Sequence, residues 1–447
     1  MESGRRIDYL HDLKQYLDKY AYRPKLIETS VPEDLGIVAV IPCYNESRID
    51  QALVSLQSCS RPPCYVEVIV VVNQSETTIA EIRQTNEKAF VEVKRWEART
   101  AGLRDHGFSV YGIFEEALPK KHAGVGFARK IGMDEAVRRF DEIGRENGII
   151  ACFDADSTCS PDYLTELYSH FQKYPDSPGC SIKFEHPTFG SEFESRTYLA
   201  ITYYELHLRY YNQAIKATGV PYAFHTVGSS MAVRSFAYQK QGGMNRRKAG
   251  EDFYFLHKII ELGNFTELNS TAIYPSPRPS DRVPFGTGKA VNSYLANGQS
   301  GYYTYNLQAF KYLSEFFQNI PEFYIAKPQL VTLGGQIPYV MIDFLSAYFF
   351  DDRIVEIYRN SKGLSSFEKR FYRWFNAFMV LKFVHFVRDN AHPNVRVELA
   401  ALDLLRNIGY PDVERIGSVG ELLEIYRKLD RGESPVPVKF LTTKNPE

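Results

Sequence analysis

The chain is organised around the stretch Gly148-Ile149-Ile150-Ala151-Cys152-Phe153-Asp154-Ala155-Asp156-Ser157, an apolar run that ends in two carboxylates one residue apart. A short apolar run closed by turn residues predicts a strand buried on both faces, because a half-exposed strand alternates apolar and polar residues. In an extended chain residues i and i+2 point the same way, so Asp154 and Asp156 are expected to reach one ligand beyond the strand. Such oxygens suit a hard divalent cation that also binds a diphosphate. The alternative is that Asp156 or Ser157 only caps the helix starting near Pro161.

Strand-like and helix-like segments alternate on both sides of this stretch. Apolar runs at 36–41, 66–72 and 108–114 are each followed by a segment with the residue pattern of a helix. Such alternation predicts βαβ units, and therefore an α/β fold with a mostly parallel, Rossmann-like sheet flanked by helices. Ligands of these sheets bind outside the carboxyl ends of the strands.

Polar residues follow the predicted strands at their carboxyl ends, where a ligand is expected to bind. Tyr44 and Glu46 follow the first strand within the loop that begins at Pro42, and Asn73 ends the second strand. Arg129 lies in the helix that leads to the strand before Asp154. The convergence of these residues strengthens the metal and diphosphate interpretation.

Two later segments add candidate groups. Glu251 and Asp252 open a helix after Gly250, where acidic residues are favoured by the helix dipole and where a general base would also be held firmly. Spacing alone does not separate these two roles. The Pro- and Gly-rich loop 275–289 carries Arg278, Arg282 and Lys289, and is interpreted either as a lid whose cations neutralise a departing diphosphate or as a linker.

Composition limits the class of protein. The chain has 447 residues and a formal net charge of -1, which gives no electrostatic support for nucleic-acid binding. Its six cysteines lack the paired spacing of zinc sites and are interpreted as reduced thiols. The stretch 330–350 is interrupted by polar residues and is expected to be a buried helix. We therefore expect a cytoplasmic protein, and contact with a membrane surface stays open.

Four signatures occur in order: Val40-Ile41-Pro42-Cys43-Tyr44-Asn45-Glu46, Ala128-Arg129-Lys130, Phe153-Asp154-Ala155-Asp156, and Gly242-Gly243-Met244 leading to Gly250-Glu251-Asp252. Together they resemble family 2 glycosyltransferases of the GT-A fold, over roughly residues 36 to 280. The resemblance implies transfer of a sugar from a nucleotide-diphosphate sugar to an acceptor hydroxyl, commonly with inversion and with Mg or Mn.

The resemblance also implies roles for individual residues. Pro42, Tyr44 and Glu46 would border the nucleoside, Asn73 would face the base or ribose, and Arg129 would lie near the base or diphosphate. Asp154 would lie near the ribose or metal, Asp156 would be the principal metal ligand, and Asp252 would be the catalytic base. Two departures stand out: family members often have an acid where this chain has Asn73, and the later Gln-x-x-Arg-Trp signature of processive synthases is missing.

The proposed chemistry is consistent with these residue types. A divalent ion on Asp156 with Arg282 or Lys289 nearby would stabilise the charge that builds on the leaving diphosphate. Asp252 would accept the proton of the acceptor hydroxyl, and Glu251, the neighbouring acid, would raise its pKa. The acceptor itself, whether a saccharide, a lipid-linked or a small molecule, is not predicted.

Three alternatives remain. A sugar nucleotidyltransferase would have a Gly-rich loop after the first strand, where this chain has Pro42-Cys43-Tyr44-Asn45-Glu46. A retaining GT-A glycosyltransferase and a non-catalytic nucleotide-sugar-binding protein both stay open. The expected domains are an N-terminal helical arm at 1–35, a GT-A nucleotide-sugar transferase domain at 36–285, and a mainly helical region at 286–447.

Overall fold

The computed structural model describes residues 16–101, 107–282, 286–297, 301–326 and 337–441. The chain divides into two compact units, the first comprising residues 1–187 and 225–289 and the second residues 188–224 and 290–447. Residues 1–15 of the expected N-terminal arm, and 330–336 of the expected buried helix, lie outside the described residues. The three domains expected from the sequence stay a prediction.

The first unit is built on one eight-stranded sheet in the order β3-β2-β1-β4-β7-β6-β8-β5. Its strands are β1 (Leu35–Cys43), β2 (Tyr65–Ser75), β3 (Phe108–Leu118), β4 (Ile149–Cys152), β5 (Thr158–Cys159), β6 (Gly179–Phe184), β7 (Met231–Arg234) and β8 (Thr266–Tyr274). Strands β1 to β4 pair in parallel, whereas β7 runs antiparallel to both β4 and β6. Strand β8 pairs in parallel with β6, and β5 runs antiparallel to β8.

Helices flank this sheet. They are α1 (Ile49–Gln57), α2 (Ala80–Ala101), α3 (Val125–Glu142), α4 (Tyr163–Lys173), α6 (Ser235–Lys240) and α7 (Glu251–Ile260), all in the first unit. Helix α5 (Ser195–Ala217) belongs to the second unit. Strands β1 and β2 are buried along almost their whole length, as their continuous runs of Val and Ile predicted. The predicted α/β fold, with a mostly parallel sheet flanked by helices and a mainly helical C-terminal region, is confirmed.

Helix α3 lies against the centre of the sheet. A Cβ on Gly132 would come within 3.1 Å of Val71, so the helix approaches β1 and β2 more closely than a larger residue would permit. The sequence predicts one apolar face on this helix, but nearly all of it is buried, including five charged residues. Each of these charged residues therefore needs a partner within the protein.

The segment 16–29 supplies several of those partners. The hydroxyl of Tyr16 donates to Asp134 Oδ1 at 2.7 Å, and the backbone N–H of Ile27 donates to Glu135 at 2.9 Å. Arg23 forms a bidentate pair with Glu115 in β3. The segment is thereby fixed to the first unit through polar contacts.

The second unit is mainly helical. Besides α5 it contains α8 (Thr287–Ala296, which begins in the first unit), α9 (Leu307–Gln318), α10 (Ile320–Ile325), α11 (Tyr339–Ser346), α12 (Phe350–Arg359), α13 (Leu364–Trp374), α14 (Ala377–Asn390), α15 (Val397–Asn407) and α16 (Val419–Asp430), and the short strands β9 (Tyr303–Thr304) and β10 (Val395–Arg396). Buried ion pairs from Arg209 to Asp430 and from Arg427 to Glu205 join α5 to α16. No helix in the described ranges is long and apolar enough to cross a bilayer.

Arg139 and Glu67 give a direct test of the packing of α3. Both side chains are fully buried and paired with each other, so Glu67→Gln leaves a guanidinium without its counter-charge. We expect a loss of about 3–5 kcal/mol of stability, measured by urea denaturation. The control is Glu92→Gln, which breaks the exposed pair with Arg95 and should cost at most about 1 kcal/mol. Equal effects of the two substitutions would contradict the prediction.

Candidate functional site

Among the predicted site residues, Tyr44 and Glu46 follow the carboxyl end of β1, and Asp154 and Asp156 follow that of β4, in the first unit. Asp154 and Asp156 follow β4 in a turn closed by the N–H of Ser157 donating to the carbonyl of Asp154 at 3.1 Å. The chain is thus not extended there, and the two carboxylates contact different arginines. Asp154 belongs to a group centred on Arg129, and Asp156 belongs to a group formed with the loop after β8.

Arg129 is the buried centre of the first group. Its side chain is 3% exposed, and its Nη2 donates to Asp154 Oδ1 at 2.6 Å. Its Nη1 donates to Glu251 Oε1. One guanidinium therefore joins α3, the turn after β4 and the first residue of α7. We call Arg129, Asp154, Glu251 and Asp252 the Arg129 group.

Arg129 fits this place because Gly228 lies beside it. A Cβ on Gly228 would come within 2.8 Å of Arg129 Cζ. The sequence predicts that something approaches the backbone of the small-residue segment 228–234 closely, and the approaching group is this guanidinium. The backbone N–H of Gly228 also donates to Asp252.

The acids at the start of α7 have altered proton affinities. Burial raises the pKa of Asp252 above the ordinary aspartate range, although Arg129 and the N–H groups of Phe253 and Gly228 lower it. Burial also raises the pKa of Glu251 to about 7, against the opposing effect of Arg129. Burial by itself lowers the pKa of Arg129, but the charges of Asp154 and Glu251 outweigh it and raise that pKa, so the guanidinium stays charged. A carboxyl with a raised pKa is a better proton acceptor.

The loop after β8 supplies the second group. Arg278 and Arg282 both contact Glu46, and both contact Asp156 Oδ2, at 3.3 Å and 2.8 Å respectively. Arg282 also donates to the carbonyl of Tyr44 at 3.3 Å. We call Arg278, Arg282, Glu46 and Asp156 the loop-arginine group. It contains equal numbers of acids and arginines.

The loop after β1 is held in shape by its own contacts. Asn45 adopts a left-handed backbone with φ of 51°, which few residue types tolerate. Its N–H donates to the buried Asn86 Oδ1 at 2.8 Å, and Asn86 donates in turn to Gln74 at 3.0 Å. These contacts fix the loop that places Tyr44 and Glu46.

Two of the predicted nucleoside-side residues belong to neither group. Asn73 is buried at the end of β2, in register with Glu115 of β3, and Pro42 lies near the end of β1. Within the described ranges the side chain of Asn73 makes no hydrogen bond to either group. Lys289 pairs with the exposed Asp281 at 3.0 Å rather than with a site carboxylate. The roles of Asn73 and Pro42 in donor binding stay predictions.

The capping alternative for Asp156 and Ser157 is wrong. Helix α4 begins at Tyr163 with Asp162 at its N-cap position. Ser157 is buried, and its hydroxyl has no hydrogen-bond partner among the described residues. At α7 the N-cap position is held by Gly250 without a side-chain cap. Asp252 accepts a hydrogen bond from the N–H of Phe253 at 2.8 Å, and its role as a general base stays a prediction.

The carboxyl groups present are compatible with a divalent cation. In the Arg129 group a single guanidinium faces three carboxyl groups, and Asp154 keeps 36% of its side chain exposed. Asp156 is 20% exposed. Among the residues described, no three His, Cys, Asp or Glu side chains are grouped as a metal site. An ion held by Asp154 and Asp156 would therefore take its remaining ligands from a bound diphosphate and water.

Sequence reasoning did not place Arg278, Gly228 and Asn86 in the site. Arg278 was visible only as one of several cations in a Pro-rich loop. Asn86 is a fully buried amide within a charged helix, and such a position carries no local signal of its partner. The small residues at 228–234 permit a close approach to the backbone but do not indicate which group approaches.

Gly228→Ala tests whether this glycine keeps room for Arg129. The added methyl group overlaps a guanidinium that two carboxylates hold in place, so we expect a loss of about 1–3 kcal/mol, seen as a lower melting temperature. The control is Gly363→Ala, where an added Cβ meets no atom within 4 Å. A melting temperature unchanged by Gly228→Ala would show that Arg129 can relocate freely.

Comparisons with known proteins give similarity to solved structures alone. No family model matches the chain, and no curated protein matches it. Similar structures include residues 1–349 of S. aureus TarS, with 13% identity, a TM-score of 0.35, and coverage of 89% of this chain and 91% of that one. The same fragment in complex with UDP-GlcNAc gives 14% identity, a TM-score of 0.36 and the same coverage. The mannosyltransferase PcManGT from Pyrobaculum calidifontis, in complex with GDP-Man and Mn2+, gives 15% identity and a TM-score of 0.31, over 95% of this chain and 94% of that one.

Proposed function

We propose that this protein is a glycosyltransferase that moves a sugar from a nucleotide-diphosphate sugar to an acceptor hydroxyl with inversion. The observation that carries the proposal is that one turn after β4 supplies an acid to each group, Asp154 to the Arg129 group and Asp156 to the loop-arginine group. Ligands of parallel α/β sheets bind at this edge. The arrangement offers cations for a diphosphate and a carboxyl of raised pKa for a hydroxyl proton.

The loop-arginine group is the proposed diphosphate site. Arg278 and Arg282 are 25% and 27% exposed, so their guanidinium groups are accessible to a ligand. Guanidinium groups bind phosphate oxygens with paired, charge-assisted hydrogen bonds. Asp156, with Asp154, would hold a Mg or Mn ion, which supplies further stabilisation of negative charge on the diphosphate. The arginines neutralise the same charge as it develops on the leaving group.

Asp252 is the proposed general base. In the described part of the two groups, Asp154, Asp156, Glu46 and Glu251 each form an ion pair with an arginine, and Asp252 does not. Its carboxylate would accept the hydroxyl proton while the acceptor oxygen bonds to the anomeric carbon. The bond from that carbon to the diphosphate breaks, and the nucleoside diphosphate leaves with the electron pair. Glu251 then acts by holding Arg129, as a positioning residue.

Asp252→Asn tests the assignment of the base. We expect the transfer rate to fall by about 100- to 10,000-fold, the range typical of a lost general base, with donor binding retained. Donor binding is measured by thermal shift with UDP-, GDP-, CMP- and dTDP-sugars, and transfer by product formation with anomeric analysis. Glu87→Gln on the exposed face of α2 is the control. Unchanged transfer in Asp252→Asn would remove this residue from the mechanism, and a product of retained configuration would exclude inversion.

The pH dependence of transfer follows from the same residue. The base works only when ionised, and the folded protein raises the pKa of Asp252, so activity should fall as pH decreases through a value above the ordinary aspartate pKa of about 4. Asp252 and Glu251 titrate as interacting groups, so the profile reports an apparent value for the pair. The measurement is kcat/KM against pH. Residual activity of Asp252→Asn that keeps the same acidic limb would contradict the assignment.

Asp156→Asn tests the proposed ion site. A ligand that binds only the native state stabilises it by about 2.7 kcal/mol at a hundred times its Kd, and the melting temperature rises as a result. In the natural protein we expect Mn to increase the melting-temperature shift that the donor causes. This increase should disappear in Asp156→Asn and after chelation by EDTA. The control Glu87→Gln should keep it. A shift independent of Mn in every variant would exclude the ion from donor binding.

A further inference from the structure

A concentrated basic surface lies beside the start of α7. Five exposed cations form it, two in the loop before α3 and three in the loop before α7: Lys120, Lys121, Arg246, Arg247 and Lys248. We call these residues the basic surface. The formal net charge of the whole chain is -1, so this excess of positive charge is local.

The two loops contact each other next to the proposed base. A Cβ on Gly124 would come within 3.0 Å of Lys248 Cα, and one on Gly126 would come within 2.8 Å of Glu251 Cβ. Asn245 Nδ2 donates to the backbone carbonyl of Glu251 at 2.9 Å. The basic surface therefore borders the first turn of α7, which carries Asp252.

Aromatic rings hold the two arginines. The guanidinium of Arg246 lies 5.2 Å from the ring centres of both Tyr22 and Phe127. The guanidinium of Arg247 lies 3.7 Å from the ring centre of Tyr254 in α7. A stacked guanidinium uses its face and leaves its N–H edge for an anion.

The charge of the basic surface is not neutralised by carboxylates. In the described residues none of its five side chains forms an ion pair, whereas Arg23, Arg129 and Arg139 all do. Among the described residues, Glu76 accepts a hydrogen bond from the backbone N–H of Lys120 at 3.5 Å and does not pair with its ammonium group. Unpaired cations concentrated on one surface create a positive potential that attracts anions.

We propose that the basic surface binds a phosphate group carried by the acceptor, close to the hydroxyl that receives the sugar. This inference rests on the proposed function and specifies its acceptor as a phosphorylated saccharide or polyol. On the proposed function the donor diphosphate has its own cations in the loop-arginine group, whereas the basic surface borders the turn that carries the proposed base Asp252. None of the exposed large apolar residues in the described ranges falls in the two loops, so the surface lacks groups that would insert into a bilayer.

The experiment uses the full chain and the double variant Arg246→Gln/Arg247→Gln. The matched control is Arg95→Gln/Arg99→Gln, which removes two exposed arginines of α2, one of them stacked on Trp96 at 4.8 Å. A thermal shift with the donor panel is measured first. Transfer is then compared between glycerol and glycerol phosphate and between glucose and glucose phosphate, at low and high salt.

We expect kcat/KM to favour the phosphorylated member of a pair by about tenfold or more at low salt, and salt to reduce this preference. The preference should disappear in the double variant and persist in the control, with an unchanged donor shift in both. Equal use of both members, or a preference retained by the double variant, would overturn the inference alone. A missing donor shift in the natural protein would overturn the proposed function and this inference with it.

Two further arms complete the test. Where neither member of a pair accepts sugar, calorimetry of the phosphorylated compounds with donor-loaded protein replaces turnover, and no binding overturns the inference. Sedimentation with phosphatidylcholine vesicles, with and without phosphatidylglycerol, examines a lipid surface. One outcome would assign the surface to a membrane and overturn the inference. In it, the protein binds vesicles only when they contain phosphatidylglycerol, the double variant loses this binding, and phosphorylated soluble acceptors are not preferred.

Discussion

The structure of the site depends on how the protein accommodates the buried charge of Arg129. A guanidinium removed from water is tolerated only with carboxylate partners in good geometry, and breaking such a pair is far more costly than leaving it unformed on a surface. The two partners come from the turn after β4 and from the start of α7. Their positions are therefore linked: neither acid can move without leaving Arg129 partly unpaired. Gly228 completes the constraint, because a side chain there would overlap the guanidinium.

The same constraint recurs along α3. Lys130 and Asp134 pair with each other, and the hydroxyls of Tyr16 and Tyr238 both donate to Asp134 at 2.7 Å. One turn later Arg139 pairs with Glu67 of β2. The charged residues of the helix thus find partners in the segment 16–29, in β2, in the turn after β4 and within the helix itself. Polar contacts specify position more sharply than apolar packing, since a small displacement leaves a donor or acceptor unsatisfied. Helix α3 accordingly fixes where the strand ends and α7 stand relative to Arg129.

The sequence was sufficient for the elements whose signal is local. Continuous apolar runs predicted β1, β2 and β4, and the polar residues near their ends predicted that Arg129 and Asp154 would lie at one edge of the sheet. The contact between Arg129 and Glu251 was not predicted. The sequence was insufficient where the partner is distant in sequence. The charged face of α3 indicates exposure by periodicity, yet it is buried because other segments neutralise it. Strand β8 was not predicted, because its sequence, Thr266–Tyr274, mixes polar and apolar residues. The expectation that Asp154 and Asp156 point the same way assumed an extended chain, and the turn after β4 directs them to different arginines.

The two groups of the site differ in charge balance, and this difference separates their chemistry. In the loop-arginine group two guanidinium groups match Glu46 and Asp156, so a diphosphate that attracts the arginines also weakens their hold on Asp156. On the proposed function, Asp156 is then freer to bind a cation when the phosphates arrive, and the phosphates would add ligands beyond the acids that the described residues offer. In the Arg129 group acids outnumber the guanidinium, and burial raises the pKa values of Glu251 and Asp252 instead. Excess negative charge in a site of low polarity is relieved by binding a proton or a cation. The Arg129 group is therefore suited to a base that must accept a proton during each turnover. The loop-arginine group is suited to binding and releasing a diphosphate.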